Sequence, residues 1–163
     1  MKNVLKAFSL ILTFIVTLNI SAIAQKGNDV IHQVSCFDAD LKRQADSLKI
    51  AMYKDGFVVV KEATMSMESE YEMPVVVPLA QGSWYHFVFI GEKSTKLTEV
   101  RMYDYNEKQI VYEKAYGDDV TGNMIGFSYI PKFSEYHMIK PVQVNKKKKK
   151  DICGYILMFK KVK

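Results

Sequence analysis

At Gly56 the hydrophobic period of the chain changes, and the change limits the fold to one helix followed by strands. Before it, Phe37, Leu41, Ala45, Leu48 and Met52 recur at steps of four and three, which marks one face of an amphipathic helix. Asp38 and Asp40 stand at its start, where negative charge suits the helix dipole. Lys54-Asp55-Gly56 ends it, with Gly56 as the C-terminal cap. Lys42, Arg43, Asp46 and Lys49 make the opposite face charged and solvated.

After Gly56 the period is two. Phe57, Val59, Ala63, Met65 and Met67 share one side of an extended segment, with Lys61 as an interruption, and Glu62, Thr64, Ser66 and Glu68 share the other. Val75 to Val77 is bracketed by Pro74 and Pro78, which argues for an edge strand or a strand end. Gln81-Gly82-Ser83 is a turn, and Trp84 to Ile90 is aromatic and β-branched throughout. Val100 to Tyr103 and Gln109 to Glu113 flank the turn-forming run Asp104 to Lys108, a hairpin. Met124 to Ile130, Tyr136 to Val144 (interrupted by Pro141) and Ile152 to Phe159 follow. Short strands at close spacing with turns between them predict an antiparallel, jelly-roll-like β-sandwich of about eight strands, with the N-terminal helix packed on it.

The N-terminus reads as a secretory signal. Lys2 and Lys6 precede an uncharged apolar run from Ala7 to Ile20, and Ala22-Ile23-Ala24 places small residues at a cleavage site. Ser9, Thr13, Thr17, Asn19 and Ser21 dilute the run, so a stable span after processing is not expected. Residues 1–24 are therefore the signal peptide, 25–35 a lead-in, and 36–163 a single domain. Removal of the signal leaves 21 basic and 18 acidic side chains, net +3. Most of that excess lies in Lys146 to Lys150, so a broad nucleic-acid surface is not indicated. Export to a periplasmic or extracellular compartment allows the two cysteines, Cys36 and Cys153, to pair. Such a long closure would contribute up to ~4–5 kcal/mol in the loop-entropy picture. Two buried thiols are the alternative.

Gly82-Ser83-Trp84-Tyr85-His86-Phe87-Val88-Phe89, then Val100-Arg101-Met102-Tyr103-Asp104, then Phe127-Ser128-Tyr129 and a strand led by Tyr136, form an order of elements. That order resembles the β-sandwich of bacterial pre-peptidase C-terminal domains. The helix and the closing Cys153-Gly154-Tyr155-Ile156-Leu157 look more like small exported bacterial proteins that share this kind of sandwich. The resemblance covers about residues 36–160 and implies an accessory, non-catalytic role. It departs from the pattern at Asn106-Glu107-Lys108, which lacks the usual turn glycine, and before Tyr136, which lacks the usual small residue.

The chemistry-bearing residues are sparse. His86 alternates with Trp84 and Val88 on one face of its strand; it is a candidate base or ligand, or a packed histidine. His32, His86 and His137 show no metal-site spacing, and Gly126-Phe127-Ser128 lacks the second glycine of a nucleophile elbow. Asp104, Asp118 and Asp119 are loop carboxylates that can serve calcium or simply solvate turns. Lys146, Lys147, Lys148, Lys149 and Lys150 are a candidate anion-binding patch or a solvated hairpin tip. Trp84, Tyr85 and Phe87 are a candidate sugar-stacking platform or core. No cofactor is expected. The leading reading is an exported, non-enzymatic binding or envelope-accessory module whose partner is an envelope protein or glycan. The alternative is a small hydrolase or metal-dependent enzyme built on His86, Asp104 and Asp119. Mass spectrometry of the exported protein is expected to find Gln25 at the N-terminus, and an intact Met1 in the membrane fraction would overturn the processing.

Overall fold

Asp38 starts the helix. Its side chain accepts hydrogen bonds from the backbone N–H of Asp40 at 2.8 Å and Leu41 at 3.0 Å, satisfying two donors of the first turn. The computed structural model describes residues 34–117 and 122–162. The segments read as signal peptide and most of the lead-in, with His32, Asp118 and Asp119, lie outside the described residues. Helix α1 spans Ala39–Lys54, and Gly56 follows at φ 76°, the left-handed conformation that suits glycine. The start of the helix corrects one expectation. Phe37 precedes the cap, so the helical period does not carry it onto the buried stripe, and it is 83% exposed. Cys36 packs against the core there instead.

Eight strands follow: β1 (Phe57–Met67), β2 (Val75–Leu79), β3 (Tyr85–Ile90), β4 (Thr95–Tyr103), β5 (Gln109–Tyr116), β6 (Met124–Tyr129), β7 (Glu135–Asn145) and β8 (Ile152–Lys161). They form two antiparallel four-stranded sheets, ordered β1-β8-β3-β6 and β2-β7-β4-β5. Consecutive strands alternate between the sheets except at the β4–β5 hairpin, and the last strand lies beside the first, the jelly-roll arrangement. The prolines fit this order. β2, with Pro78, is an edge strand. Pro141 lies within β7 but past the end of β2. Its carbonyl accepts from Met73 N–H at 3.1 Å, so its missing N–H faces that same, strand-free side.

The first sheet is buried on both faces. Cys153, Tyr155, Leu157 and Phe159 of β8, with Val88 and Ile90 of β3, pack under Leu41 and Ala45 of α1. Ile156 and Met158, with Phe87 and Phe89, face the second sheet and meet Val77, Val100, Met102 and Ile139. β8 is accordingly a continuous apolar run instead of an alternation. Gly154 is required within it, because a Cβ there would stand 2.8 Å from the Phe89 ring and 2.9 Å from Met67 Sδ. The Lys61 interruption in β1 marks a bulge: Val59 pairs with Phe159 and Lys61 with Met158, leaving Val60 extra. The slip reverses the parity of the strand. Phe57 packs on the helix side, whereas Met65 and Met67 pack between the sheets.

Three ties hold the layers. Cys36 and Cys153 form a disulfide with Cα atoms 5.7 Å apart, joining the segment before α1 to β8. Gln143, fully buried, accepts from Glu92 N–H at 2.8 Å and Thr95 Oγ1 at 2.9 Å, and its amide donates to the Cys153 carbonyl at 3.1 Å, linking β7 to the opposite sheet. Lys49 of α1 reaches Glu62 of β1 at 2.5 Å and Asp46 at 3.3 Å, and Tyr155 Oη donates to Glu62 at 3.1 Å. The hydrogen bond from Lys49 holds the Glu62 carboxyl below its ordinary value. Burial opposes the Lys49 charge, and the bonds to Glu62 and Asp46 outweigh it, raising the lysine.

Two measurements test this packing. Leu41 is 1% exposed and Leu48 only partly buried, so Leu41→Ala should cost about 2–5 kcal/mol in denaturant unfolding and Leu48→Ala distinctly less; equal costs would contradict the docking. A carboxyl lowered by folding stabilises above its unfolded pKa, and the contribution is lost as pH falls through its folded pKa. Glu62→Gln should therefore flatten the acid side of the stability profile while leaving its neutral-to-alkaline shape unchanged. An unaltered acid limb would remove Glu62 from the helix clamp.

Candidate functional site

One end of the sandwich gathers the β2–β3, β4–β5 and β6–β7 connections, and exposed apolar side chains collect there: Tyr105, Ile130, Phe133 and Tyr136. The connections brace each other. Gln81 N–H donates to Ser134 Oγ at 2.9 Å and Gly82 N–H to the Pro131 carbonyl at 2.9 Å, with Gly82 at φ 71°. Asp104 Oδ1 accepts from Asn106 and Lys108 N–H, both at 2.9 Å, closing the β4–β5 turn that carries Tyr105. Glu107 takes φ 60° in that turn.

Between these connections lies an open cleft of about 630 Å³, lined by Pro78, Leu79, Ala80, Tyr85, Tyr105, Ser134, Glu135 and Tyr136. Tyr85 forms the floor: it is 4% exposed, and its hydroxyl accepts from Ala80 N–H at 3.0 Å. Tyr105 and Tyr136 form exposed walls. Among the described residues neither ring has an aromatic or cationic neighbour. Glu135 is the one charged lining residue.

Behind Glu135, strand alternation turns His137 inward, where it is 1% exposed. Its ring meets Tyr129 edge-on at 5.3 Å, and Nδ1 stands 3.4 Å from the Glu135 carbonyl oxygen. Nε2 is 3.5 Å from Glu135 Oε1 and has no hydrogen-bond partner. Burial raises the Tyr129 hydroxyl pKa, and the nearby Glu135 and Asp104 charges push it further the same way.

The residues singled out from sequence are dispersed. Alternation sends Trp84 and His86 to the helix side of the first sheet, and Tyr85 and Phe87 inward. Trp84 meets Phe57 edge-on at 5.5 Å, and Lys161 stands 4.7 Å from the Phe57 ring and 5.6 Å from the Trp84 ring. Phe87 stacks on Phe127 at 5.1 Å as core. His86 Nδ1 is 2.9 Å from Ser128 Oγ, its ring lies against Gly126, and burial lowers its pKa. Asp104 is committed to its turn, and Gly117, just before Asp118 and Asp119, closes the opposite end of β5. Among the described residues no group of three His, Cys, Asp or Glu side chains is placed to hold a metal ion.

Lys146 to Lys150 are all exposed in the β7–β8 connection, at the end away from the cleft. β7 and β8 lie in different sheets, so this connection crosses between the sheets and is not the tip of a hairpin. Lys149 pairs with Glu92 at 3.0 Å, and Lys146 lines a hollow of about 430 Å³ with Thr95 and Tyr116. Tyr105, Glu135, Tyr136 and the buried His137 were not singled out as a site from the sequence. They stand in separate segments, and only the alternation at Glu135-Tyr136-His137 hinted that the first and last share an inward face.

No protein-family model and no curated protein matches the chain. Among solved structures it is similar to a CBM4 structure, with TM-score 0.37 and 11% identity over 61% of this chain and 74% of that one. It is also similar to TmCBM61 in complex with beta-1,4-galactotriose, with TM-score 0.37 and 14% identity over 68% of this chain and 84% of that one. A third is the Glycosylation Associate Protein (Gap123) complex from Streptococcus agalactiae, with TM-score 0.34 and 14% identity over 66% and 40%.

Proposed function

We propose that the chain is an exported, non-enzymatic binding module that seats a glycan of the envelope or cell exterior in the tyrosine-lined cleft. The observation that carries this reading is the pair Tyr105 and Tyr136: two exposed rings without aromatic or cationic neighbours among the described residues, walling a cleft of about 630 Å³. An aromatic face suits the apolar C–H face of a sugar ring, and a few placed polar groups fix its orientation. Ser134 and Glu135 supply those groups. Export fits the signal-like N-terminus and the Cys36–Cys153 disulfide, which belongs to an oxidising compartment. An accessory, non-catalytic role is also what the pre-peptidase-type resemblance implies.

The enzyme alternative required two or more of His86, Asp104 and Asp119 in one pocket, and Asp119 lies outside the described residues. His86 is instead bonded to Ser128 on the helix-side face, and Asp104 closes its own turn.

Titration calorimetry of the mature protein against a panel of soluble oligosaccharides, neutral and aminated, is expected to find a binder. Tyr105→Ala and Tyr136→Ala should each weaken it by about tenfold, or ~1.4 kcal/mol, with unchanged circular dichroism. Retention of full affinity in the double variant, or no binding across the panel at millimolar concentration, would overturn the cleft as a glycan seat.

A further inference from the structure

The molecule repeats one local arrangement. A cation sits between a carboxylate and a tyrosine ring at several points of its surface. Arg101 bonds Glu72 at 2.7 Å and Glu99 at 2.5 Å and stands 5.6 Å from the Tyr112 ring. Lys140 pairs with Glu72 at 3.0 Å and stands 4.9 Å from the Tyr103 ring. Lys49 pairs with Glu62 and stands 5.8 Å from the Tyr155 ring. Both halves are physically sound, because a carboxylate and the negative face of an aromatic ring attract the same cation.

The cleft holds two of the three parts. Glu135 is a half-buried carboxylate, as are Glu72, Glu92 and Glu99. Each of those three has a lysine or arginine partner, and Glu135 has none among the described residues. Its contact is His137, whose buried Nε2 lies 3.5 Å away and makes no hydrogen bond. Tyr105 and Tyr136 line the cleft beside it without a cation. Lys160 stands 5.9 Å from the floor ring of Tyr85 and does not line the cleft. The five-lysine connection is at the far end of the sandwich.

We infer that the ligand supplies the missing cation: the glycan seated in the cleft carries an unsubstituted amino group, whose ammonium lies between Glu135 and the rings of Tyr105 and Tyr136. This deepens the glycan reading and rests on it. An N-acetylated sugar would leave Glu135 facing a neutral amide. An ammonium satisfies the carboxylate and the rings together, and half-burial strengthens both attractions.

The test uses fully deacetylated and fully N-acetylated oligomers of glucosamine, titrated into the mature protein at pH 6.5 and moderate salt. The deacetylated oligomer is expected to bind at least tenfold more tightly. Glu135→Gln should abolish that preference, and Lys160→Gln, which removes a competing positive charge, should increase it. Raising the salt should weaken the deacetylated oligomer selectively. Equal affinity for the two oligomers, or a preference that survives Glu135→Gln, overturns the amino-group assignment while leaving the glycan cleft standing. Binding of an oligolysine peptide that competes at Tyr136, with no binding of any saccharide, overturns the glycan reading and the amino-group assignment together. Unchanged melting temperatures of the variants show that the effects arise in the cleft.

Discussion

Strand β8 is apolar on both faces, and the rest of the architecture answers that constraint. A sheet with one wet face needs a single partner layer. Here Ile156 and Met158 face the second sheet while Cys153, Tyr155, Leu157 and Phe159 face away from it. Left uncovered, that second face would be a contiguous apolar patch in water. Helix α1 covers it with Leu41 and Ala45, and partly with Leu48 and Met52. A helix of 16 residues on one sheet face could detach as a local unit. The disulfide at its N-terminal side and the Lys49–Glu62 clamp near its middle oppose that detachment from different positions.

The sequence was legible where one physical rule acted alone. Period two, broken by turn residues, gave eight strands, and ends at chemically distinct turns such as Gln81-Gly82-Ser83 moved little, whereas β4 begins at Thr95, well before the expected Val100. The edge position of β2 followed from its prolines. Reading was poorer where two rules competed. Phe37 continues the helical spacing arithmetically, but Asp38 caps the helix after it, and the cap decides. Lys61 looked like a flaw in β1 and is the trace of a bulge that exchanges the faces of the strand. The cleft was illegible as a site, since its walls come from β2, β3, β4–β5 and β7, and only the jelly-roll topology brings those segments to one end.

That topology also separates the two surface features that sequence alone could not rank. Antiparallel strands send alternate connections to opposite ends, so the lysine-rich β7–β8 connection and the tyrosine-lined cleft lie at opposite ends of the sandwich. The connection is engaged locally: Lys147 N–H bonds Asn145 Oδ1 at 2.9 Å and Lys149 pairs with Glu92. Basic excess and cleft are therefore independent features, and the mild net charge says little about what enters the cleft.

The energetics of the cleft end distinguish a built site from a packing defect. A gap left by poor packing is usually bordered by apolar atoms and costs dispersion energy only. This one is bordered by a half-buried carboxylate without a lysine or arginine partner among the described residues and backed by an imidazole nitrogen without a hydrogen bond, both of which cost free energy in the isolated molecule. Replacing Glu135 and His137 by apolar residues of similar size would extend the Val77, Leu79 and Ile139 core to the sandwich end and remove both costs. The opposite end follows the other course: Gln143 is fully buried there, and every hydrogen bond it makes closes within the fold. Departures from internal consistency of the kind seen at Glu135 and His137 tend to occur where function demands them, and the group that would restore consistency here is a cation arriving from outside the chain.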